Sequence, residues 1–193
     1  MGKDEASAIA ALAAYAPRYA AVAKHARMPF AVEPADLRVV ERIAGSASTD
    51  FGVPGAIAKL DSKPLSSAEG KRLASLLNAA WAVYDEILAG APAELRKGPR
   101  GGGRDRDKMA DHVRDAEGAY VVKLGLRIKP PPRTDRRATT AFRGAIIDAL
   151  QKPSSGKPPV EKGWPQRYAA RRIAWHSLDH AWEMQDRNEP SSR

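Results

Sequence analysis

The chain has 193 residues, 43% of them apolar, and a formal net charge of +9 from 32 basic and 23 acidic side chains. That length fits one domain able to bury roughly 70% of its unfolded-chain surface. It contains no cysteine, which excludes structural disulfides, cysteine-based zinc sites and a cysteine nucleophile, so any thiol chemistry needs a thiol supplied by a cofactor.

Alanine is abundant and aromatic residues are scarce, a balance that favours closely packed helices. Residues 5–27 read as helical, with Pro17 as a kink or break. The opening MGKDEASAIAALAAYAP carries Asp4 and Glu5 where a signal peptide has basic residues, and its apolar part is mostly alanine. It is therefore expected to be the first helix of a cytoplasmic protein. The run Leu37-Arg38-Val39-Val40-Glu41-Arg42-Ile43 predicts one short strand, ended by Gly45. Residues 44–65, rich in Gly, Pro, Ser and Asp, read as a long loop.

The remainder is more regular. Ser66 or Ser67 can cap a helix running to about Ala89, with Gly90 as its stop signal. Leu73, Leu76, Leu77, Ala80, Trp81, Tyr84 and Leu88 recur along it at helical spacing. GPRGGGRDRDK then breaks the chain, and Asp105 or Asp107 can start a helix running to about Leu124. Lys129-Pro130-Pro131-Pro132 forms a stiff connector. A third helix is expected from Asp135 to Gln151, with Phe142, Ile146, Ile147 and Leu150 inward. KPSSGKPP makes another loop, and Pro165 starts the last long helix. Four such helices most simply form a bundle over residues 66–193, with residues 1–65 as an accessory section packed on it. The expected fold is all-α, with one short strand. No stretch is long and apolar enough to span a bilayer.

The basic excess gathers near three loops. Arg96, Lys97, Arg100, Arg104 and Arg106 lie in the first, Arg127 to Arg137 in the second, and Lys152 to Arg167 in the third. Such charge attracts nucleic acid or anionic small molecules, although a solvated basic surface is the simpler reading. The strings lack interleaved aromatics, which disfavours a platform for stacking single strands.

The chemistry-bearing residues are histidines. His176 and His180 lie one helical turn apart in RYAARRIAWHSLDHAWEMQDR, so their side chains share a face. At about 100° per residue, Ala169, Ile173, His176, His180, Glu183 and Arg187 form one stripe. Two imidazoles within an inward stripe can grip one metal ion. A third candidate ligand, His112, lies roughly 80° from the centre of its helix's apolar stripe, at the margin of the core. Three neutral imidazoles suit a divalent transition metal such as Zn, Ni, Fe or Co, and they leave positions open for water or substrate. Glu183, a turn beyond His180, is a candidate fourth ligand, hydrogen-bond acceptor or catalytic base. It can equally form an ion pair with Arg187. Asp179 points about 100° away from His180 and is not expected to reach a metal. A zincin protease has Glu directly after its first histidine; Ser177 stands there, which disfavours a metalloprotease. His25 has no partner in sequence, and Trp164, Trp175 and Trp182 are expected as core packing or pocket wall.

The three histidines, their order and their helices resemble the DinB-like superfamily of metal-binding four-helix bundles. It includes thiol-dependent transferases and isomerases that use bacillithiol or mycothiol. Members carry one ligand histidine on the second bundle helix and two more, in an H-x-x-x-H, on the last. His112 in DHVRDAE matches the first, and His176 and His180 in AWHSLDHAWE match the pair. The likeness covers residues 66 to about 187 and is most specific in RRIAWHSLDHAWEMQDR. It implies a bundle with a long crossover connection, a metal at one end, often a dimer, and a small-molecule substrate. The first 65 residues depart from the minimal family pattern. The resulting expectation is a three-histidine metal centre, served by a low-molecular-weight thiol, of thiol-dependent transferase or hydrolase type. Basic residues such as Arg100, Arg104 and Arg106 would then attract an anionic substrate or cofactor. A reading of another class stays open at this point: a basic module that binds nucleic acid or an acidic partner, its histidines structural.

Overall fold

Capping chemistry sets the helix ends. The computed structural model describes residues 4–33, 36–50, 52–98 and 102–188. Among them are seven α-helices: α1 (Glu5–Ala14), α2 (Ala16–His25), α3 (Ala47–Asp50), α4 (Ser67–Gly90), α5 (Arg106–Lys123), α6 (Arg136–Gln151) and α7 (Gln166–Asn188). Ser66 caps α4 reciprocally with Glu69: the Glu69 N–H donates to Ser66 Oγ at 3.3 Å, and the Ser66 N–H donates to Glu69 Oε2 at 3.0 Å. The bond from the Ser66 N–H, joined by those from Arg167 and the Ser66 hydroxyl, pulls the Glu69 carboxyl down to about 2. Asp135 caps α6 by accepting from the Ala138 N–H at 2.8 Å. Pro165 precedes α7 and accepts its first helical bond from Ala169 at 2.9 Å. The break near Pro17 falls at Tyr15, between α1 and α2, with the proline in the first turn of α2.

The helix ends show the direction of each element. A Cβ on Gly70 would lie 2.6 Å from the Leu150 carbonyl oxygen, so the start of α4 crosses the end of α6 closely. Arg167, at the start of α7, pairs with Glu69 at the start of α4. The end of α7 meets the segment before α5 through Arg96 N–H to Arg187 O at 3.1 Å. The end of α5 meets the segment before α7 through Trp164 N–H to Lys123 O at 2.9 Å. Thus α4 and α7 run one way, α5 and α6 the other. The connection from α5 to α6 must therefore cross back along the bundle. It does so with Pro130 against Gly118, where a Cβ would lie 2.7 Å from the proline ring, and with Arg133 against Asp107.

The apolar stripes of α4 to α7 close one core around Leu77, Trp81, Val121, Ile146, Leu150 and Ile173. Toward the other end Tyr84, Met109, Val113 and Met184 form a second cluster. Val22 of α2 packs against Ala79, Ala80 and Val83 of α4 and Leu178 of α7, which is how the N-terminal section lies on the bundle. The segment before α4 is tied to α7 as well. Tyr168 Oη donates to the Pro54 carbonyl at 3.1 Å, and Arg171 Nη2 donates to the buried Asp61 carboxylate at 2.5 Å.

The short strand expected over Leu37–Ile43 is not there. These residues are irregular, and no strand occurs among the described residues, whose bridge between Leu65 and Ser154 is isolated. A strand needs a neighbouring ladder to satisfy its backbone, and no second β segment among the described residues lies alongside. Its charged residues pair elsewhere: Arg42 with Glu5 of α1, and Glu41 with the Lys59 N–H. Val40 is left 84% exposed. The long loop over 44–65 contains the short α3 and a 3₁₀ turn at Lys59–Ser62. Among the described residues, no helix is long and apolar enough to cross a membrane.

Candidate metal centre

Helices α5 and α7 pack side by side, and the groove between them gathers the three histidines. His112 comes from the second turn of α5, His176 and His180 from the middle of α7. One ring nitrogen from each lies within 4.8 Å of the others. The ring centroids are 5.1 Å apart for His112 and His176, 4.9 Å for His112 and His180, and 4.6 Å for His176 and His180. The marginal position of His112 on its helix makes this convergence workable. It is half-buried, so it reaches over the edge of the α5–α7 contact while Met109 and Val113 fill the core beneath.

The local chemistry suits a cation. Burial lowers the pKa of His112, with Arg104 and His180 adding to the effect. His176, only 6% exposed, is pushed down to about 3, first by burial and then by His180, His112, Arg172 and Arg104. Both are therefore neutral near pH 7, the form that coordinates. His176 Nδ1 is buried with no hydrogen-bond partner, an arrangement that costs free energy unless an ion or a water answers it. His180 Nδ1 lies 2.9 Å from Glu183 Oε2. The ionised carboxylate can only accept, so Nδ1 carries a proton, and it is Nε2 of the neutral ring that offers a lone pair to a metal.

Glu183 is more occupied than the sequence suggests. Its other oxygen accepts from Arg187 Nη1 at 2.9 Å. Hydrogen bonds, led by that from His180, hold its carboxyl below the ordinary value. The acceptor role and the ion pair thus coexist, and with both oxygens engaged the carboxylate is placed to orient His180. Arg187 is itself fixed by donating to the carbonyls of Arg96 at 2.6 Å and Arg104 at 2.8 Å. Gly103 makes this possible: at φ +116 its missing Cβ would sit 2.7 Å from the Arg187 guanidinium. Gly103 therefore packs onto α7, and the Gly98 N–H donates to Gly102 O at 2.8 Å. Ser177 is fully buried and donates to the Ile173 carbonyl at 3.2 Å. The position a zincin uses for its base thus holds a satisfied hydroxyl.

The other candidates scatter. Arg106 turns to the far side of α5, where it donates to Ala91 O at 3.1 Å and Asp107 at 2.8 Å. There it lines, with Arg114, Arg133 and Arg143, a separate cleft of about 730 Å³ between α4, α5 and α6. Arg104 is exposed and its charge acts on His112 and His176. Arg100 lies outside the described residues. Asp179 is exposed on α7. His25 meets Glu86 at 3.2 Å, away from the cluster. Trp164 packs on Tyr120 and Tyr168, Trp182 on Tyr15, and Trp175 beside His176 at 6.0 Å between centroids.

Two features escaped the sequence. Glu117 is 5% exposed in the core of α5, accepts from Trp81 Nε1 at 2.6 Å, and has its pKa raised by burial. Arg172 stands beside the histidines; its spacing of four before His176 was the available signal. The fold and site together define an all-α helical bundle with a three-histidine cluster that could hold a metal ion. Compared with protein-family models, with curated proteins and with solved structures, the chain matches none.

Proposed function

We propose that His112, His176 and His180 bind one divalent transition metal, Zn, Ni or Fe, and that the chain is a metal-dependent protein of the DinB-like type acting on a small molecule. The observation that carries this is the approach of three imidazole nitrogens within 4.8 Å from two helices, two of them neutral through burial. The Glu183–His180 bond supports it, because it leaves Nε2 of His180 free to ligate. Three protein ligands leave coordination positions open, as catalytic sites require.

The finer reading is a thiol-dependent transferase. When bound, the metal would supply Lewis acidity that holds a cofactor thiol as thiolate, the stronger nucleophile toward an electrophilic substrate. The thiol must come from outside, since the chain has no cysteine. The chain's own part is to present neutral imidazoles, to fix the His180 ring through Glu183, and to wall the groove with Tyr120 and Trp175 beside His176.

The test is elemental analysis of purified, tag-free protein beside His112→Ala and His176→Ala. About one transition metal per chain, lost in both variants, is expected. A wild type that stays metal-free after reloading would overturn the centre and return the histidines to a structural role. Metal-dependent conjugation of a generic electrophile with bacillithiol or mycothiol is the expected activity. Its absence with both thiols would remove the transferase and leave the metal centre.

A further inference from the structure

Arg172 lies one turn before His176 on α7. Its guanidinium carbon is 4.7 Å from the centroid of the Trp175 ring and 5.5 Å from that of Tyr120. Those two rings lie 6.0 and 5.7 Å from the His176 ring. The cation and the imidazole therefore share two aromatic walls, and stacking holds the guanidinium in place beside the cluster.

What this cation lacks is a counter-charge. Its Nη1 is buried without a hydrogen-bond partner. Among the described residues the guanidinium makes no ion pair and no hydrogen bond. The other well-covered arginines are all paired: Arg143 with Asp85, Arg167 with Glu69 and Arg187 with Glu183. A partly buried charge without a partner is costly, and stacking on two rings recovers only part of that cost.

Among the described residues, the surroundings add no anion that would answer it. The three imidazoles bring no negative charge when neutral. Glu183 is matched by Arg187 from its own helix, and Asp115 on α5 is matched by Arg114. Arg104, from the turn before α5, adds a second cation. Asp179, on α7, is near enough to feel Arg172 but forms no ion pair with it. A divalent metal would raise the positive excess further.

We infer that Arg172 is an anion-binding residue of this centre, and that the substrate is a small molecule bearing a carboxylate that meets the guanidinium while another of its groups reaches the metal. This rests on the metal-centre reading above. The planar guanidinium fork matches a carboxylate, and a neighbouring metal and an aromatic wall leave little water to compete for it.

The test uses the full chain loaded with Co(II), whose visible spectrum reports ligand binding at the metal. Cobalt content is measured first. Acetohydroxamate and succinate monohydroxamate are then titrated separately; both present the same chelating head, and only the second carries a carboxylate tail. In wild type the succinate derivative is expected to bind about tenfold more tightly. In Arg172→Gln that preference falls to near one while cobalt content and helicity stay as in wild type. In Arg172→Lys, which keeps the charge but not the fork, an intermediate preference is expected. A preference near one in wild type, or one unchanged in Arg172→Gln, overturns the inference and leaves the metal centre intact. Failure of the wild type to take up cobalt overturns the centre and this inference with it.

Discussion

Acid should destabilise the metal-free protein through His176. In an unfolded chain its imidazole titrates near 6.5, whereas in the folded protein burial pushes it down to about 3. The folded state thus binds fewer protons than the unfolded state between those values, so stability is complete above about 6.5 and falls as pH drops through this window. One proton of difference gives a slope of about 1.4 kcal/mol per pH unit, or ~2 kcal/mol lost on going from neutral pH to about pH 5. For a chain of this size that corresponds to a fall in Tm of about 4–8 °C. Other groups titrate over the same range, His112 among them, so the relevant quantity is the difference from His176→Asn, which keeps a polar side chain and removes the proton site. Urea unfolding followed by helical circular dichroism, in chelator, at neutral pH and at about pH 5, measures it. Wild type should lose ~2 kcal/mol more than the variant. Equal losses would refute the reasoning, since they would mean that the His176 imidazole is as easily protonated in the folded groove as in water. Adding metal at neutral pH should raise wild-type stability by a concentration-dependent amount and leave the variant nearly unmoved.

Glu183→Gln keeps the shape of the residue but loses the charge that steadies the His180 N–H, so metal affinity is expected to fall about tenfold or more, read by competition with a coloured chelator, with helix content unchanged. Asp61→Ala removes the buried acceptor that ties Arg171 to the segment before α4. Because the Arg171 side chain is 41% exposed, the expected loss is reduced to about 1–2 kcal/mol. Limited proteolysis should then cut within residues 52–65 sooner than in wild type, while metal content remains the same.

Much of the bundle was legible because helix ends are written in a few local residues. Ser66 with Glu69, and Asp135, satisfy the first N–H groups of α4 and α6 from a few residues away. Asp105 precedes α5 as expected, yet its carboxylate makes no capping bond; it pairs with Lys97 and accepts from the Leu95 N–H at 3.2 Å. The Leu37–Ile43 run misled for the opposite reason. Its β-branched residues signal a preference that only a paired neighbour can realise, and at this place the described residues offer ion-pair partners and no second strand.

Local periodicity alone placed His176 and His180 on one face of α7, since four residues make about one helical turn whatever surrounds it. It also put His112 at the rim of α5 and left Glu183 within reach of either His180 or Arg187. Whether His112 meets the pair depends on how α5 lies against α7, which is decided by the Met109, Val113 and Met184 packing beneath them. Packing likewise let Glu183 serve both neighbours at once, sent Arg106 to the opposite face, and set Arg172 against two rings with no paired acid among the described residues. A helical repeat specifies which side chains share a face; only the docking of one face on another specifies which charges are left to answer a ligand.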